Sequence, residues 1–361
     1  MTNEAWSQET MTIVPPALPD GPATVNGMGE ANADAGADGL ATLSIPLALC
    51  APRGAAPASG LHYSAAQGNS EWGIGWTFPL ARIARSTLHG VPRYQESDSF
   101  ISPSGEILVP WLNAQGQHEV RRGVEDFQGT GLDQAYSVWR YGEETEGEFS
   151  RIERWQGEQN GREFWLLHGT DGSLSCFGRT AQARIADEQA PTHIGEWLLE
   201  EWLSAQGEHH YYHFQAEDTS GVSGEEQRQH RARRYLKRID YGNVNASSVL
   251  YCWQDSLPDA SECLLHVVFD YGERSLDSSD KPVPPTWAVS DGAEWHKRAD
   301  SFSDYKYGFE LRCHRLCQQV LLFARDPLQQ NNPPQLVSSY LLTYHSDEVM
   351  SYLQSIKQLA Y

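Results

Sequence analysis

Glu163-Phe164-Trp165-Leu166-Leu167-His168-Gly169-Thr170-Asp171-Gly172-Ser173-Leu174-Ser175-Cys176-Phe177 reads as two strand-length apolar runs about one turn. Asp-Gly between such runs is a strong hairpin signal, because glycine takes the positive φ of a primed turn without a Cβ clash. The pattern recurs on both sides. Phe100-Ile101-Ser102 and Ile107-Leu108-Val109 flank Pro103-Ser104-Gly105-Glu106, while Trp197 to Leu203 and Tyr211 to Phe214 flank Ser204-Ala205-Gln206-Gly207-Glu208. The stretch from about 97 to 215 is therefore a meander of hairpins. Twelve Trp, sixteen Tyr and eleven Phe suit pleated surfaces, and 31 Gly with 19 Pro favour many short elements over long helices. The expectation is an all-β fold of winding antiparallel sheets built from hairpins.

Towards the N-terminus, Leu43, Ile45, Leu47 and Leu49 alternate on one face, and Pro46 suggests an edge strand. Gly60 to Ser64 is a second strand. Trp72-Gly73-Ile74-Gly75-Trp76 predicts a tight bend where backbone approaches an aromatic cluster; with no Lys-Ser or Lys-Thr following, it is not a phosphate loop. Residues 1–38 are poor in large apolar groups and are expected to be disordered, leaving 39–361 as one β-rich domain.

Towards the C-terminus, the polar stretch 217–231 is the best internal boundary. Strands are expected at Tyr235–Tyr241, Val249–Trp253, Leu264–Tyr271, Phe309–Phe323 and Ser338–Tyr344, with 273–300 (Pro282, Pro284, Pro285) a long loop. Met350, Leu353, Ile356 and Leu359 have helical spacing and predict a short closing helix. A loose theme runs through the chain: Leu61-x-Tyr63, Ile239-x-Tyr241, Val249-x-Tyr251, Phe269-x-Tyr271 and Leu342-x-Tyr344 each put an apolar residue and a tyrosine on one face.

The formal charge is −21, from 48 acidic against 27 basic residues, which disfavours nucleic acid and anionic membranes as partners. Arg228 to Arg238, with Arg231, Arg233, Arg234 and Lys237, runs against that trend and reads as a solvated linker and strand edge rather than an anion site. Cys50, Cys176, Cys252, Cys263, Cys313 and Cys317 are too scattered for a disulfide framework and are expected as free thiols. No Sec-type signal peptide and no membrane span are visible.

Several of these runs resemble the SpvB-type N-terminal domain, which also begins the B components of insecticidal toxin complexes. They are Gly39 to Leu47, Ala51-Pro52-Arg53-Gly54, Leu61-His62-Tyr63-Ser64, Gly73-Ile74-Gly75-Trp76, Ile83-Ala84-Arg85-Ser86-Thr87, His89-Gly90-Val91-Pro92, Phe164 to His168, Val267 to Arg274, Tyr307 to Arg312 and His314-Arg315-Leu316-Cys317. The resemblance implies Rhs/YD-like β sheets at the start of bacterial virulence toxins. A proline-rich linker with an actin-modifying mono-ADP-ribosyltransferase, or propeller and YD-repeat shell regions, follows in such proteins. It further implies synthesis in the bacterial cytoplasm and release by another route. The chain stops at Tyr361, where the family module ends, so a fragment or a separately encoded partner is expected.

Candidate chemistry is sparse. Glu146-Gly147-Glu148 matches one ADP-ribosyltransferase element, but no Ser-Thr-Ser accompanies it. Glu200 and Glu201, or Glu217 and Asp218, are neighbours that would point to opposite faces of a strand and so could not flank one glycosidic bond. His209 and His213 share a strand face but lie ~13 Å apart, too far for one metal ion. Cys313 and Cys317 would be neighbours only on a helix, and no Gly-x-Ser-x-Gly elbow occurs. Trp72, Trp76, Trp197 and Trp202 could stack on sugars, giving surface glycan or host-receptor binding as the alternative function; core packing is the plainer reading. The expectation is a non-enzymatic scaffold or delivery module with no catalytic residues, cofactor or metal. Gly73, Gly75, Trp76, Asp270, Tyr271 and Gly272 are its structurally critical positions.

Overall fold

A computed structural model describes residues 32–35, 39–145, 147–218, 220–222, 231–253, 257–274, 284–289, 293–329 and 332–361. The N-terminal strands β1 (Asn32–Ala35), β2 (Ala41–Ile45), β3 (Leu61–Ser64) and β4 (Trp76–Thr77) form an antiparallel sheet in that order. Next come β5 (Arg82–Arg85), β6 (Phe100–Ile101), β7 (Ile107–Pro110), β8 (Val120–Phe127), β9 (Thr130–Glu143), β10 (Arg151–Gly157), β11 (Glu163–His168), β12 (Leu174–Phe177), β13 (Arg184–Ala186) and β14 (Ile194–Leu203). The remainder is β15 (His209–Ala216), β16 (Arg234–Asn243), β17 (Cys263–Asp270), β18 (Phe302–Asp304), β19 (Leu311–Cys313), β20 (Gln319–Ala324), β21 (Gln335–Ser346) and β22 (Ser351–Ala360). No helix of seven or more residues occurs among the described residues.

Two shapes share one sheet. β14 pairs with β5 through Trp197↔Ile83 and with β12 through Phe177↔Leu199, which closes the ring β14-β5-β6-β7-β9-β10-β11-β12 into an eight-stranded barrel. β14 also pairs with β15 through Glu201↔Tyr211, and from there an antiparallel meander runs β15-β16-β17-β20-β21-β22. β14 is therefore buried along almost its whole length. Its Trp197 and Leu199 join the main core inside the barrel, while Leu198 packs outside with Ile185, Tyr307 and Leu311. Because both faces are covered, its three glutamates, Glu196, Glu200 and Glu201, are buried along with its apolar residues.

The three hairpins expected from the sequence are present as β6–β7, β11–β12 and β14–β15. Their turn glycines, Gly105, Gly172 and Gly207, have φ of 94°, 81° and 79°. The Trp72–Trp76 bend also forms: at Gly73 (φ 87°) a Cβ would lie 2.7 Å from the Ser351 carbonyl oxygen, and at Gly75 (φ 82°) 2.3 Å from the Tyr63 ring. Four of the five apolar-x-Tyr pairs lie in the core, since Leu61, Ile239, Tyr241, Phe269, Tyr271 and Leu342 belong to one cluster with Tyr63 and Tyr344 against it, whereas Val249 is exposed and Tyr251 begins a 3-10 turn.

Elsewhere the structure departs from expectation. The C-terminal segment is the strand β22. A bulge leaves Gln354 unpaired between Leu353↔Tyr344 and Ser355↔Thr343, so Leu353 and Ile356 share the core face despite a spacing of three. β2 is interior to its sheet, ending at Ile45 before Pro46 would break the ladder. Tyr251–Trp253 is a 3-10 turn rather than a strand; it lays Trp253 over the outer barrel face, 5.4 Å from both the Trp155 and Phe164 rings. Phe309–Phe323 is two strands, β19 and β20, because residues 314–318 leave the ladder and their N–H groups donate to Glu217, Glu71 and Asp270. β15 and β16 pair across the 217–231 connection, so the sheet is continuous there. Of residues 1–38, Asn32–Ala35 form β1 and the rest lie outside the described residues.

Candidate functional site

Where β15 ends, the chain builds a buried ionic junction. Glu217 follows the last β15 residue and is fully buried. It accepts from Arg315 Nε at 2.8 Å, from the His314 backbone N–H at 3.0 Å and from the Tyr235 hydroxyl at 2.5 Å. Arg315 also donates to Asp218 Oδ1 at 2.8 Å and to the Trp295 carbonyl at 3.0 Å. Glu217 and Asp218 thus converge on one guanidinium, contrary to the strand-alternation expectation, because both lie past the strand end. With the carboxylates closed on Arg315, this is a clasp and not a hydrolytic pair.

Two further pairs tie the N-terminal sheet and the meander together, and a third lies within the meander. Arg298 grips Asp300 at 2.7 and 2.8 Å and donates to the Ser70 carbonyl and Asn69 Oδ1. Asp300 accepts from Ser351 Oγ on β22 at 2.7 Å. Although burial opposes ionisation, the Arg298 hydrogen bonds hold Asp300 down at about 2. Arg233 pairs with Glu71 at 2.6 Å. At the end of β17, Asp270 accepts from the N–H groups of Gly272 and Glu273 and from Gln319 Nε2. Burial and the neighbouring Glu273 push Asp270 up to about 7, while Lys237 pairs with Glu273.

The remaining sequence candidates are placed as follows. Arg233, Lys237 and Arg238 are paired with Glu71, Glu273 and Asp240, and β16 lies between β15 and β17, so residues 233–238 are neither a solvated linker nor a sheet edge; Arg231 is exposed in a turn, and Arg228 lies outside the described residues. His209 bridges Glu201 and the Ser247 carbonyl, while His213 pairs with Asp240. His210 stacks on Trp202, and burial pulls it down to about 3. Glu200 faces away from Glu201 and accepts from Thr180. Cys263, Cys313 and Cys317 are buried free thiols, Cys176 is buried, and Cys50 is an exposed thiol. Glu146 lies outside the described residues. Trp72, Trp76 and Trp197 are buried, and Trp202 is half-covered by His210, so these rings offer little face to a sugar. Tyr271 donates to the Leu236 carbonyl at 3.1 Å, and a Cβ on Gly272 (φ 105°) would meet the His296 ring at 2.7 Å. Among the described residues no group of three or more His, Cys, Asp or Glu is placed to hold a metal ion, and no helix is long and apolar enough to cross a membrane.

Sequence reasoning missed the mouth of the barrel. Inside, Phe100, Trp165 and Trp197 meet edge to face at 4.9–5.9 Å and plug the lumen. Beyond this plug lies a cavity of about 760 Å³, walled by Arg85, Trp139, Tyr141, Arg154, Glu163 and Arg184 among others. Arg154 pairs with Glu163 at 2.7 Å, and Arg85 with Asp98 at 3.0 Å. The only sequence signal was a set of scattered arginines, Arg85, Arg154 and Arg184 on three strands and Arg162 in the turn between β10 and β11, which tertiary structure alone brings together.

A closed barrel continued as a meander, with most of its buried carboxylates paired within the framework, defines an all-β module. The chain belongs to the SpvB family, described as Salmonella virulence plasmid 65kDa B protein, whose model matches residues 35–325. It is 41% identical to the mono(ADP-ribosyl)transferase SpvB of Salmonella choleraesuis over 99% of its own length and 58% of that protein's, so it spans well under two thirds of that relative. The structure of the N-terminal domain of the Salmonella typhimurium effector SpvB matches with a TM-score of 0.80 at 40% identity, over 88% of this chain and 98% of that domain. The TcdB2-TccC3 toxin complex without its hypervariable C-terminal region matches with a TM-score of 0.85 at 37% identity, over 96% of this chain and 16% of that one.

Proposed function

We propose that this chain is the non-catalytic scaffold of a virulence toxin, holding shape for the export, encapsulation or delivery of a linked or separately encoded toxic polypeptide. The carrying observation is the fate of its buried acids: Glu196, Glu201, Glu217, Asp240, Asp270 and Asp300 are each committed to a basic, hydroxyl or amide partner within the framework. The nearly complete overlap with a solved SpvB N-terminal domain supports the same reading. Any ADP-ribosyl transfer belongs to sequence outside residues 39–361, which act as one folding unit with the strand Asn32–Ala35 paired onto its edge. The protein is made in the bacterial cytoplasm and acts after release.

The purified chain is expected to transfer no label from radioactive nicotinamide dinucleotide to actin, and to co-purify with a co-expressed toxin-complex C-type polypeptide. Labelling that a single carboxylate substitution abolishes without unfolding the chain would refute the assignment. Failure to recover the partner would refute its delivery half.

A further inference from the structure

The barrel mouth holds a charge that the framework leaves unanswered. Arg184, on β13 at the rim, is largely buried and donates only to the carbonyls of Gly178 and Arg179, at 2.6 and 2.7 Å. Among the described residues no carboxylate lies within salt-bridge reach of it. Beside it in the cavity wall, Arg154 keeps a buried Nε without a hydrogen-bond partner, although its terminal nitrogen is tied to Glu163. A buried guanidinium is strongly destabilising unless charge and hydrogen bonds are both satisfied. The chain meets that demand at Arg315 and Arg298 and omits it here, in a cavity of about 760 Å³ that is open to solvent. Burial pulls Arg184 downward, reinforced by the neighbouring cations Arg162 and Arg179 and opposed by Glu200; a bound anion would reverse that direction. The walls include the faces of Trp139 and Tyr141, and the cavity has the size and the barrel-mouth position of small-molecule sites in general.

We propose that the barrel mouth is a binding site for a small organic anion, with a phosphate or carboxylate group seated on the Arg184 and Arg154 side and its organic body against Trp139. In a protein of charge −21, a recessed positive mouth concentrates anions that the outer surface repels. Guanidinium groups suit phosphate and carboxylate alike through paired N–H donors, so the two head groups are separated by experiment.

The purified chain is titrated with pyrophosphate and, separately, with citrate at low salt, following tryptophan fluorescence and calorimetric heat. Saturable binding is expected for at least one probe, with a matching rise in Tm. The probe that saturates identifies the head group. Arg184→Gln is expected to weaken it by roughly tenfold or more, Arg184→Lys by less, and Arg234→Gln, which lies outside this cavity, not at all. Arg162→Gln, at a less buried position on the same rim, is measured in parallel, so that misfolding of the Arg184 variants still leaves a decisive result. Absence of saturation with both probes up to about 10 mM, or binding unchanged in every folded Arg184 and Arg162 variant, would overturn the assignment.

Discussion

His210 carries a cost that depends on acidity. Its ring is packed between Trp202 and Tyr241, its Nε2 has no partner, and burial lowers it to about 3. Once unfolded, it takes a proton near ~6.5, so the unfolded state binds more protons below that value and stability falls as pH drops from ~6.5 toward 3. The loss reaches roughly 2 kcal/mol by pH 5. Asp270, raised to about 7, acts with the opposite sign in this window, so the measurement is a difference: between pH 7 and 5 the urea midpoint of the wild type should fall relative to that of His210→Phe, which keeps the ring packing. Asp300 and Glu196, both held down to about 2, act in a lower window: their contribution is complete above ~4.5 and lost as pH falls toward 2. Gly75 is a purely steric case. Gly75→Ala must place a methyl against the Tyr63 ring in a left-handed conformation and is expected to cost about 3 kcal/mol or more, whereas Gly68→Ala, with open space and no positive φ, should change Tm little. The Trp-Gly-Ile-Gly-Trp bend was legible because only glycine allows such an approach. The neutral state of His210 was not, since it follows from neighbours on other strands.

At the scale of elements, ionic clasps join pieces that share no ladder hydrogen bonds. Arg315 connects the end of β15 to the irregular link between β19 and β20. Arg315→Met should cost about 3–5 kcal/mol, because Glu217 is left as an uncompensated buried carboxylate, and adding Glu217→Gln should recover part of it. An equal loss in single and double variants, measured by chemical denaturation, would show that the clasp acts by packing alone. β22 teaches a different lesson. Its apolar spacing of three imitates a helix, yet the bulge at Gln354 produces the same spacing in a strand. Deleting Gln354 should therefore leave Leu353 and Ile356 on one face of a regular ladder, with a Tm close to the wild type. A large drop would mean that the bulge itself is required. Hairpins with glycine turns could be read locally. The 3-10 turn at Trp253 and the break after Cys313 could not, because distant partners decide them: the outer barrel face in one case, Glu217 and Asp270 in the other.

At the scale of the whole molecule, β14 belongs to barrel and meander at once, and a single core cluster runs from Trp72 and Trp76 through Phe100 and Trp197 to Tyr340 and Leu342. Barrel and meander are therefore expected to unfold together, with far-ultraviolet circular dichroism and tryptophan fluorescence giving coincident transitions. Two separated transitions would show that the shared strand does not couple them. Alternation, turn chemistry and aromatic content determined from the sequence alone that this is an antiparallel β protein, where three of its hairpins turn, and four of the apolar-tyrosine faces of its core, because each depends on residues close together in the chain; Val249-x-Tyr251 was the exception. Closure of the barrel through β14, pairing of the buried charges across the sheets, and the arginine-lined mouth were decided only in three dimensions. They depend on contacts between residues up to hundreds of positions apart, and local periodicity carries no record of those contacts.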